Sequence, residues 1–536
     1  MNYLLLFTVT PVQDFIIQSR KLKDLFGSSD ILSCMSEIGM KICKKEGGEF
    51  IFPILQEKKE VSYPNRFLIE FKNKSIDEIK SIAKNIEENL LKFLKGLNDL
   101  NHFKIKEHLE NYFTFYWAIS EIENDYKNSF DKVEKLLAGA KNTRFFHQLG
   151  NGEGEKGRKC SICGERNVVI YNGNLKFPKE QYKNDDPKKN KIAQKNEGLC
   201  GVCYAKRRYG DLKKGKFDST ADIALMHVFK KVERKEFKLL NKNSQLFFRE
   251  NLTEKYLKEQ GLLGDKKLED FLKEWEKFNK LLKENNLKQT SYYAVIMFDG
   301  DSMGEWLSGK NLENGNIKEF HKFMSDRLSI YSMEAKKNVE FPKGKAVYAG
   351  GDDFLGFVNL NYLFEVLKDL REKWDEIVNK PLQENFELKK DFTFSAGVVV
   401  AHYKTPLAFV LGKVREAEKT AKEFNERRKN AITFMVLKRS GEIRKASIGF
   451  EKLNDLIEVQ NKLNNYSDSF IGKLEKEFSL MNEVDWYMIK IELKRLLHKS
   501  GILDDEIIGK LDNLFENFNN FSHLLNFIKF LNREVQ

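Results

Sequence analysis

The sequence predicts an α+β chain in which two α/β units are separated by a basic, cysteine-bearing middle and closed by a C-terminal helical bundle. Three observations predict it. Strand, tight turn and helix follow one another from Tyr3 and again from Tyr293. Residues 151–216 change texture to Gly, Lys and Asn with two Cys-x-x-Cys pairs. From Ile448 onward there is no proline, and Leu453, Leu456, Ile457 and then Phe515, Phe518, Phe521, Leu524, Leu525, Ile528 recur at helical spacing. A length of 536 residues accommodates three or four domains, and 41% hydrophobic content with 43 Phe excludes disorder as the main state.

In the first unit, residues 1–145, a strand is predicted over 3–8, a basic amphipathic helix over 12–26, and a second helix over 31–44 opened by Ser28-Ser29-Asp30. Short apolar runs at 50–52, 66–71 and 113–118 read as strands, with a long amphipathic helix over 76–97. A proline-free helical stretch covers 221–286. The second unit then places strands at 292–298, 346–348, 355–358, 393–401 and 432–436, with helices between them. Aligned on their tyrosines, the two openings set Asp299 against Val9 and Asp301 against Pro11. A duplicated unit would therefore carry acidic chemistry only in its second copy, although two strand-to-helix turns also resemble each other by chance.

The formal net charge is +12, and residues 151–216 hold 17 Lys/Arg against 8 Asp/Glu, a net of +9. Such a segment suits RNA or merely keeps an exposed loop soluble. Stretches 150–157 and 184–196 read as mobile. No apolar run reaches the ~18–20 residues of a membrane span, and the N-terminus lacks a basic leader region and a small-residue cleavage site, so a cytoplasmic chain is expected. Cys34 and Cys43 read as buried small hydrophobes.

The densest chemical signal is Tyr348-Ala-Gly-Gly-Asp-Asp-Phe354. Gly350 and Gly351 supply a tight hairpin between apolar strands, and Asp352 and Asp353 place adjacent carboxylates at its tip. An isolated Asp-Asp pair is most often a solvated acidic turn; a divalent cation would offset the repulsion. Upstream, Phe298-Asp-Gly-Asp-Ser-Met-Gly304 ends a buried strand in Asp299 and turns into a helix, offering backbone N–H groups that suit a triphosphate. In a βαββαβ palm the first strand and the central hairpin are neighbours, so Asp299, Asp352 and Asp353 would converge on one metal site fit for two-metal nucleotidyl transfer. Gly300, Asp301, Ser302, Met303 and Gly304, with Gly350 and Gly351, form the candidate nucleotide-binding backbone, and Lys429 could meet a phosphate or be a solvated cation.

Cys160-x-x-Cys163 and Cys200-x-x-Cys203 make two halves of a tetrahedral S₄ zinc site, with a 36-residue gap longer than in compact ribbons. A redox dithiol is the alternative for either pair alone. The eight histidines are scattered and none precedes Asp, which leaves no His-Asp anchor for an HD-type metal nuclease.

These motifs, in order from residue 1 to about 440, together with the opening Thr8-Val-Thr-Pro-Val-Gln-Asp-Phe-Ile16 and Ser395-Ala-Gly-Val-Val-Val-Ala-His402, resemble the Cas-ten large subunit of type III CRISPR effector complexes, most of all the Cmr (III-B) branch. The resemblance implies two ferredoxin-like palm domains of the nucleotidyl cyclase (GGDEF-like) class, a zinc-containing helical domain and a C-terminal helical domain, over 1–145 (catalytically degenerate palm), 146–288, 289–440 (GGDD palm) and 441–536. The order of the last three is zinc domain, active palm, helical bundle. It implies that Asp299, Asp352 and Asp353 hold Mg²⁺ or Mn²⁺ and that ATP is polymerised into cyclic oligoadenylate when guide RNA pairs with target RNA beside sister subunits. Relatives without an HD domain have a similar layout yet join ATP to S-adenosylmethionine, and a non-catalytic RNA-binding scaffold is a further alternative. An N-terminal HD nuclease, present in many relatives, is not expected, and with it no DNase activity.

Overall fold

The computed structural model describes residues 1–55, 62–123, 125–143, 157–173, 183–184, 192–214, 218–464, 469–478, 485–501 and 505–535. Most of the stretches read as mobile, 150–156 and 185–191, lies outside them.

The first α/β unit is built on β1 (Tyr3–Thr10), β2 (Glu49–Phe52), β3 (Arg66–Phe71) and β4 (Thr114–Glu121), in the sheet order β2-β3-β1-β4. All three pairings within this sheet are antiparallel. The run Tyr3-Leu-Leu-Leu-Phe is continuous rather than alternating because β1 is buried on both faces: Leu5, Phe7 and Val9 join one core, Leu4 and Leu6 another.

The second unit repeats this order and extends it. β5 (Tyr292–Gly300), β6 (Gly344–Gly350), β7 (Asp353–Asn359) and β8 (Phe394–His402) are arranged β6-β7-β5-β8, the βαββαβ pattern, and β9 (Ala431–Leu437) then adds parallel to β8. The sheet does not stop at residue 440. A turn through Gly441, at φ 88°, leads into β10 (Ile443–Gly449), antiparallel to β9. Its polar half, Ile443-Arg-Lys, masked it in the sequence, since an edge strand needs few apolar residues.

Two expectations in the first 288 residues give way to packing. Ser28-Ser29-Asp30 does not open a helix but lies inside one of 24 residues, Leu22–Lys45, whose Ser28 and Ser29 are buried. Small residues stand there because the helix Gly201–Lys214 crosses closely: a Cβ on Gly27 would lie 2.1 Å from the Lys206 carbonyl oxygen, and one on Gly210 would lie 2.7 Å from that of Lys23. The span 146–288 is also not one packing unit. The cysteine segment shares its core with the first sheet, through Cys160, Leu199 and Val202. Helices Thr220–Phe229 and Leu268–Glu284 instead pack with one face of the second sheet, through Tyr293, Val295 and Phe357. The other face of that sheet meets the C-terminal helices, among them Leu453–Leu463, Trp486–Lys499 and Phe518–Glu534, in one continuous core. No described helix is long and apolar enough to cross a membrane.

Candidate active site and cysteine cluster

Strand alternation decides where Asp299 faces. Ala294, Ile296 and Phe298 enter one core and Tyr293, Val295 and Met297 the other, so Asp299 emerges on the second face, beneath the helix Leu407–Arg427. The adjacent hairpin pairs Gly350 with Asp353, leaving Gly351 and Asp352 as its two-residue turn. Of the two glycines only Gly351 has a positive φ, 82°, and its N–H donates to Ser332 Oγ at 3.1 Å, which ties the hairpin to the helix Ile317–Asn338. Gly350 is needed for a different reason: a Cβ there would lie 2.1 Å from the Tyr348 hydroxyl.

One residue beyond the Phe298–Phe354 pair, the carboxylates of Asp299, Asp352 and Asp353 meet, with ligand oxygens within 4.8 Å of one another. Gly300 makes room for this, since its Cβ would fall 2.9 Å from that of Asp352. Loss of hydration, then repulsion from Asp299, pushes Asp352 up to about 7. Asp353 is exposed as a residue, yet loss of hydration at its carboxyl, a hydrogen bond with Asp299 and repulsion from its neighbours push it well above the usual carboxylate range. Three carboxylate groups gathered at one point, with Asp352 and Asp353 held against ionising by burial and repulsion, fit a hard divalent cation, which would relieve the repulsion.

Lys422 is the cation at hand. It bonds Asp299 and reaches Glu418 at 2.8 Å. Burial alone would lower its pKa, but Asp299 and Glu418 raise it, so the ammonium stays charged. Lys422 belongs to a row, Arg415, Glu418, Lys419 and Lys422, that recurs at i, i+3, i+4 and i+7 along the helix and lines a cleft of about 800 Å³. Asp299 and Asp353 line the same cleft, and the first unit contributes Thr10–Val12, Gln13, Asp14 and Ile16 to its lining, with Asp14 close enough to Arg415 to act on its charge. The sequence shows the helical periodicity of this row, but nothing in it ties the first-unit lining to the row.

The turn after β5 lies beside the carboxylates but outside the cleft lining. Asp301 is buried, and its carboxylate accepts from Thr393 Oγ1 at 2.7 Å, Ser395 Oγ at 2.8 Å and the Asn430 N–H at 3.0 Å. It therefore braces the turn and does not face a ligand. Ser302, at φ 61°, accepts from Lys429 Nζ at 2.6 Å, so these two side chains are brought together. Met303 packs partly buried against the core, and Gly304 has no atom within 4 Å of where its Cβ would stand.

The four cysteines Cys160, Cys163, Cys200 and Cys203 also converge, their sulfurs within 4.8 Å of one another. All are free thiols, and Cys163 Sγ and Cys200 Sγ are 3.8 Å apart. A disulfide would need ~2.05 Å, whereas a tetrahedral site with Zn–S of about 2.3 Å has edges of about 3.8 Å. The donor set and its spacing fit zinc. The N–H of Ile162 points at Cys160 Sγ and that of Cys203 at Cys200 Sγ, at 3.4 and 3.5 Å.

The basic charge around this cluster is partly internal. Arg207 is fully buried and holds Asp24 through two bonds of 2.7 and 2.9 Å, with Glu197 at 2.6 Å. Arg208 pairs with Asp99 at 2.8 Å, and Lys206 is buried as well. The reading of the +9 segment as an exposed loop does not hold for these cations.

Residues 292–433 match a family described as Cas10/Cmr2, second palm domain, and residues 4–99 match one described as CRISPR-associated protein Cmr2, N-terminal. The chain is 24% identical to the CRISPR system Cmr subunit Cmr2 of Pyrococcus furiosus, in an alignment covering 96% of this chain and 72% of that protein. It is similar to a chain of the type III-B Cmr-beta structure in the apo state, with a TM-score of 0.68 at 14% identity, covering 100% of this chain and 82% of that one. A chain of a Csm1-Csm4 cassette in complex with cA4 is matched with a TM-score of 0.50 at 15% identity, over 99% of this chain and 70% of that one. At these identities the two structural likenesses bear on the fold.

Proposed function

We propose that the chain is a member of the Cas10/Cmr2 family and the large subunit of a type III-B CRISPR effector complex, whose second palm converts ATP into cyclic oligoadenylate when guide RNA pairs with target RNA. The observation that carries this reading is the cluster of Asp299, Asp352 and Asp353, of which Asp299 and Asp353 line a cleft shared by both α/β units. The Csm1-Csm4 cassette found with cA4 supports the class of product.

Asp299, Asp352 and Asp353 would hold Mg²⁺ or Mn²⁺, which when bound favours the attacking hydroxyl and offsets charge on the leaving oxygens. Arg415, Lys419 and Lys422 draw the triphosphate along one helix face. The 3′-oxygen of one ATP bonds to the α-phosphorus of another, the bond between the α-phosphorus and the bridging oxygen breaks, pyrophosphate departs and the hydroxyl proton passes to water. Asp301, held by three hydrogen bonds, keeps the turn after β5 in place during this exchange. The first unit completes the lining of the cleft through Thr10–Val12, Gln13, Asp14 and Ile16. The cysteine cluster is a closed zinc site of structural character, and metal analysis of freshly purified protein should find roughly one Zn per chain.

The test is to assemble the complex with guide and matching target RNA and labelled ATP, with and without S-adenosylmethionine, and to resolve the products. A cyclic oligoadenylate that disappears in Asp352→Ala/Asp353→Ala is expected. No ATP-derived product, or one indifferent to that substitution, points to a scaffold instead; a product that requires S-adenosylmethionine excludes the oligoadenylate.

A further inference from the structure

Part of the lining that the first unit contributes to the cleft is a short segment, whose buried Phe15 packs against Tyr112 and Phe113. The helix Gln13–Ile17 has only five residues, and no side chain caps its N-terminus. Gln13, Asp14 and Ile16 nevertheless line the cleft. Further support arrives from 188 and 191 positions later in the chain. Lys206 Nζ, with its side chain fully buried, donates to the carbonyl oxygens of Phe15 at 2.7 Å and Gln18 at 2.6 Å, and stands 4.7 Å from the centre of the Phe15 ring. An ammonium taken out of water is costly unless its donors are met, so this contact fixes both carbonyls firmly. Such bonds at the last carbonyls of a helix also suit their partial negative charge.

Around this contact, the same segment is clamped to the cysteine-bearing region at three more points. Gln18 Nε2 donates to Glu165 Oε1 at 2.6 Å, two residues after Cys163. Arg20 pairs with Glu197 at 3.4 Å, three residues before Cys200. The carboxylate of Asp24 accepts from the N–H groups of Arg20 and Lys21 at 3.1 and 3.0 Å while Arg207 holds it. Lys206 and Arg207 belong to the helix Gly201–Lys214, whose first turn carries Cys203 next to Cys200. That helix is also locked in depth: Gly201 donates to His108 Nδ1 at 3.0 Å, and Gly27 and Gly210 let it sit directly on the helix Leu22–Lys45.

We propose that Lys206 is a positioning residue for the cleft: carried on the helix that the cysteine cluster anchors, it holds the Gln13–Ile17 segment at a fixed distance from the Asp299, Asp352 and Asp353 carboxylates. The cysteine region thereby sets the width of a site from which it is absent. The positioning rests on the contacts themselves; its consequence for nucleotide binding rests on the function proposed above.

The experiment compares amide hydrogen exchange over residues 13–19 in the full chain for the wild type, Lys206→Met and Arg208→Met. Arg208→Met removes the Asp99 contact from the same helix without touching that segment. Lys206→Met should accelerate exchange over 13–19 at least about tenfold with zinc content and melting temperature close to those of Arg208→Met. Arg208→Met should leave that segment as in the wild type. Equal exchange in all three proteins, or the same acceleration in both variants, overturns the proposal. If Lys206→Met does not fold, Lys206→Gln, which keeps one donor group, should give an intermediate acceleration, and wild-type exchange in it overturns the proposal equally. Binding of Mg-ATP to the same proteins separates the two readings. Weaker binding by Lys206→Met than by Arg208→Met supports both, whereas faster exchange in a protein that binds no ATP at all supports the positioning and counts against the nucleotide function.

Discussion

Asp352 and Asp353 sit where their charges oppose each other, and the fold tolerates this because the backbone leaves them nowhere else to go. The hairpin pins Asp353 to Gly350, Gly351 ties the turn to Ser332, and Gly300 lets Asp352 approach the end of β5. Removing one charge should therefore help the chain and harm the chemistry. In magnesium-free buffer we expect Asp352→Asn to be more stable than the wild type by about 1 kcal/mol, while ATP-derived product falls at least about 100-fold. Thermal unfolding and the product assay read the two effects separately, and a destabilised variant would mean that the carboxylates support the fold. Asp301, two residues from Asp299, behaves oppositely. With three hydrogen-bond donors converging on its buried carboxylate, Asp301→Ala should cost about 2–4 kcal/mol, measured by chemical denaturation, because those donors lose their partner.

Among the elements, the helices Leu22–Lys45 and Gly201–Lys214 show how glycine positions set a contact distance. Gly27 faces the Lys206 carbonyl and Gly210 faces that of Lys23, so each backbone lies on the other. Gly27→Ala would place its Cβ 2.1 Å from a backbone oxygen, and the helices must move apart. A loss of more than about 2 kcal/mol is expected, although alanine is the better helix former. Denaturant midpoints decide it: a stability gain of the size given by helix propensity would show that the helices are not closely docked. The helix Leu407–Arg427 illustrates the other side of legibility. Arg415, Glu418, Lys419 and Lys422 were visible as a helical face in the sequence, but a charged face is usually solvated, and only the cleft beneath it distinguishes this one. Ser28, Ser29 and Asp30 likewise read as a helix start, since the same small residues serve caps and close crossings.

Across the whole molecule, the two α/β units are joined along the helix Ile317–Asn338. Lys318 pairs with Glu70 and Lys322 with Glu49, and Lys336 Nζ donates to Ser62 Oγ at 2.8 Å. At the centre of this seam lies His321, fully buried; its Nε2 donates to the Leu307 carbonyl at 2.8 Å, so its Nδ1 accepts from the Tyr126 hydroxyl at 2.9 Å. Burial depresses its pKa from 6.5 to about 4. As pH falls, the unfolded chain takes up the proton first, so stability present above pH 6.5 is lost progressively as pH falls toward 4, by about 2 kcal/mol at pH 5. His321→Gln should show a correspondingly smaller loss between about pH 7.5 and pH 5 in denaturant titrations, and an identical loss would assign it to other groups.

Strand periodicity, turn glycines and ligand spacing are local properties of the chain, so the amino-acid sequence alone marks every strand of the two sheets except Ile443–Gly449, together with the helical C-terminus, the three aspartates and the four cysteines. Packing in three dimensions brings Gln13, Asp14 and Ile16 to one cleft with Asp299 and Asp353, turns Asp301 inward, and makes Lys206 and Arg207 buried struts instead of exposed charges. It joins segments about 400 residues apart in sequence, as Asp14 and Arg415 are. A formal charge count, or a residue's neighbours along the chain, carries no record of which surfaces will be removed from water.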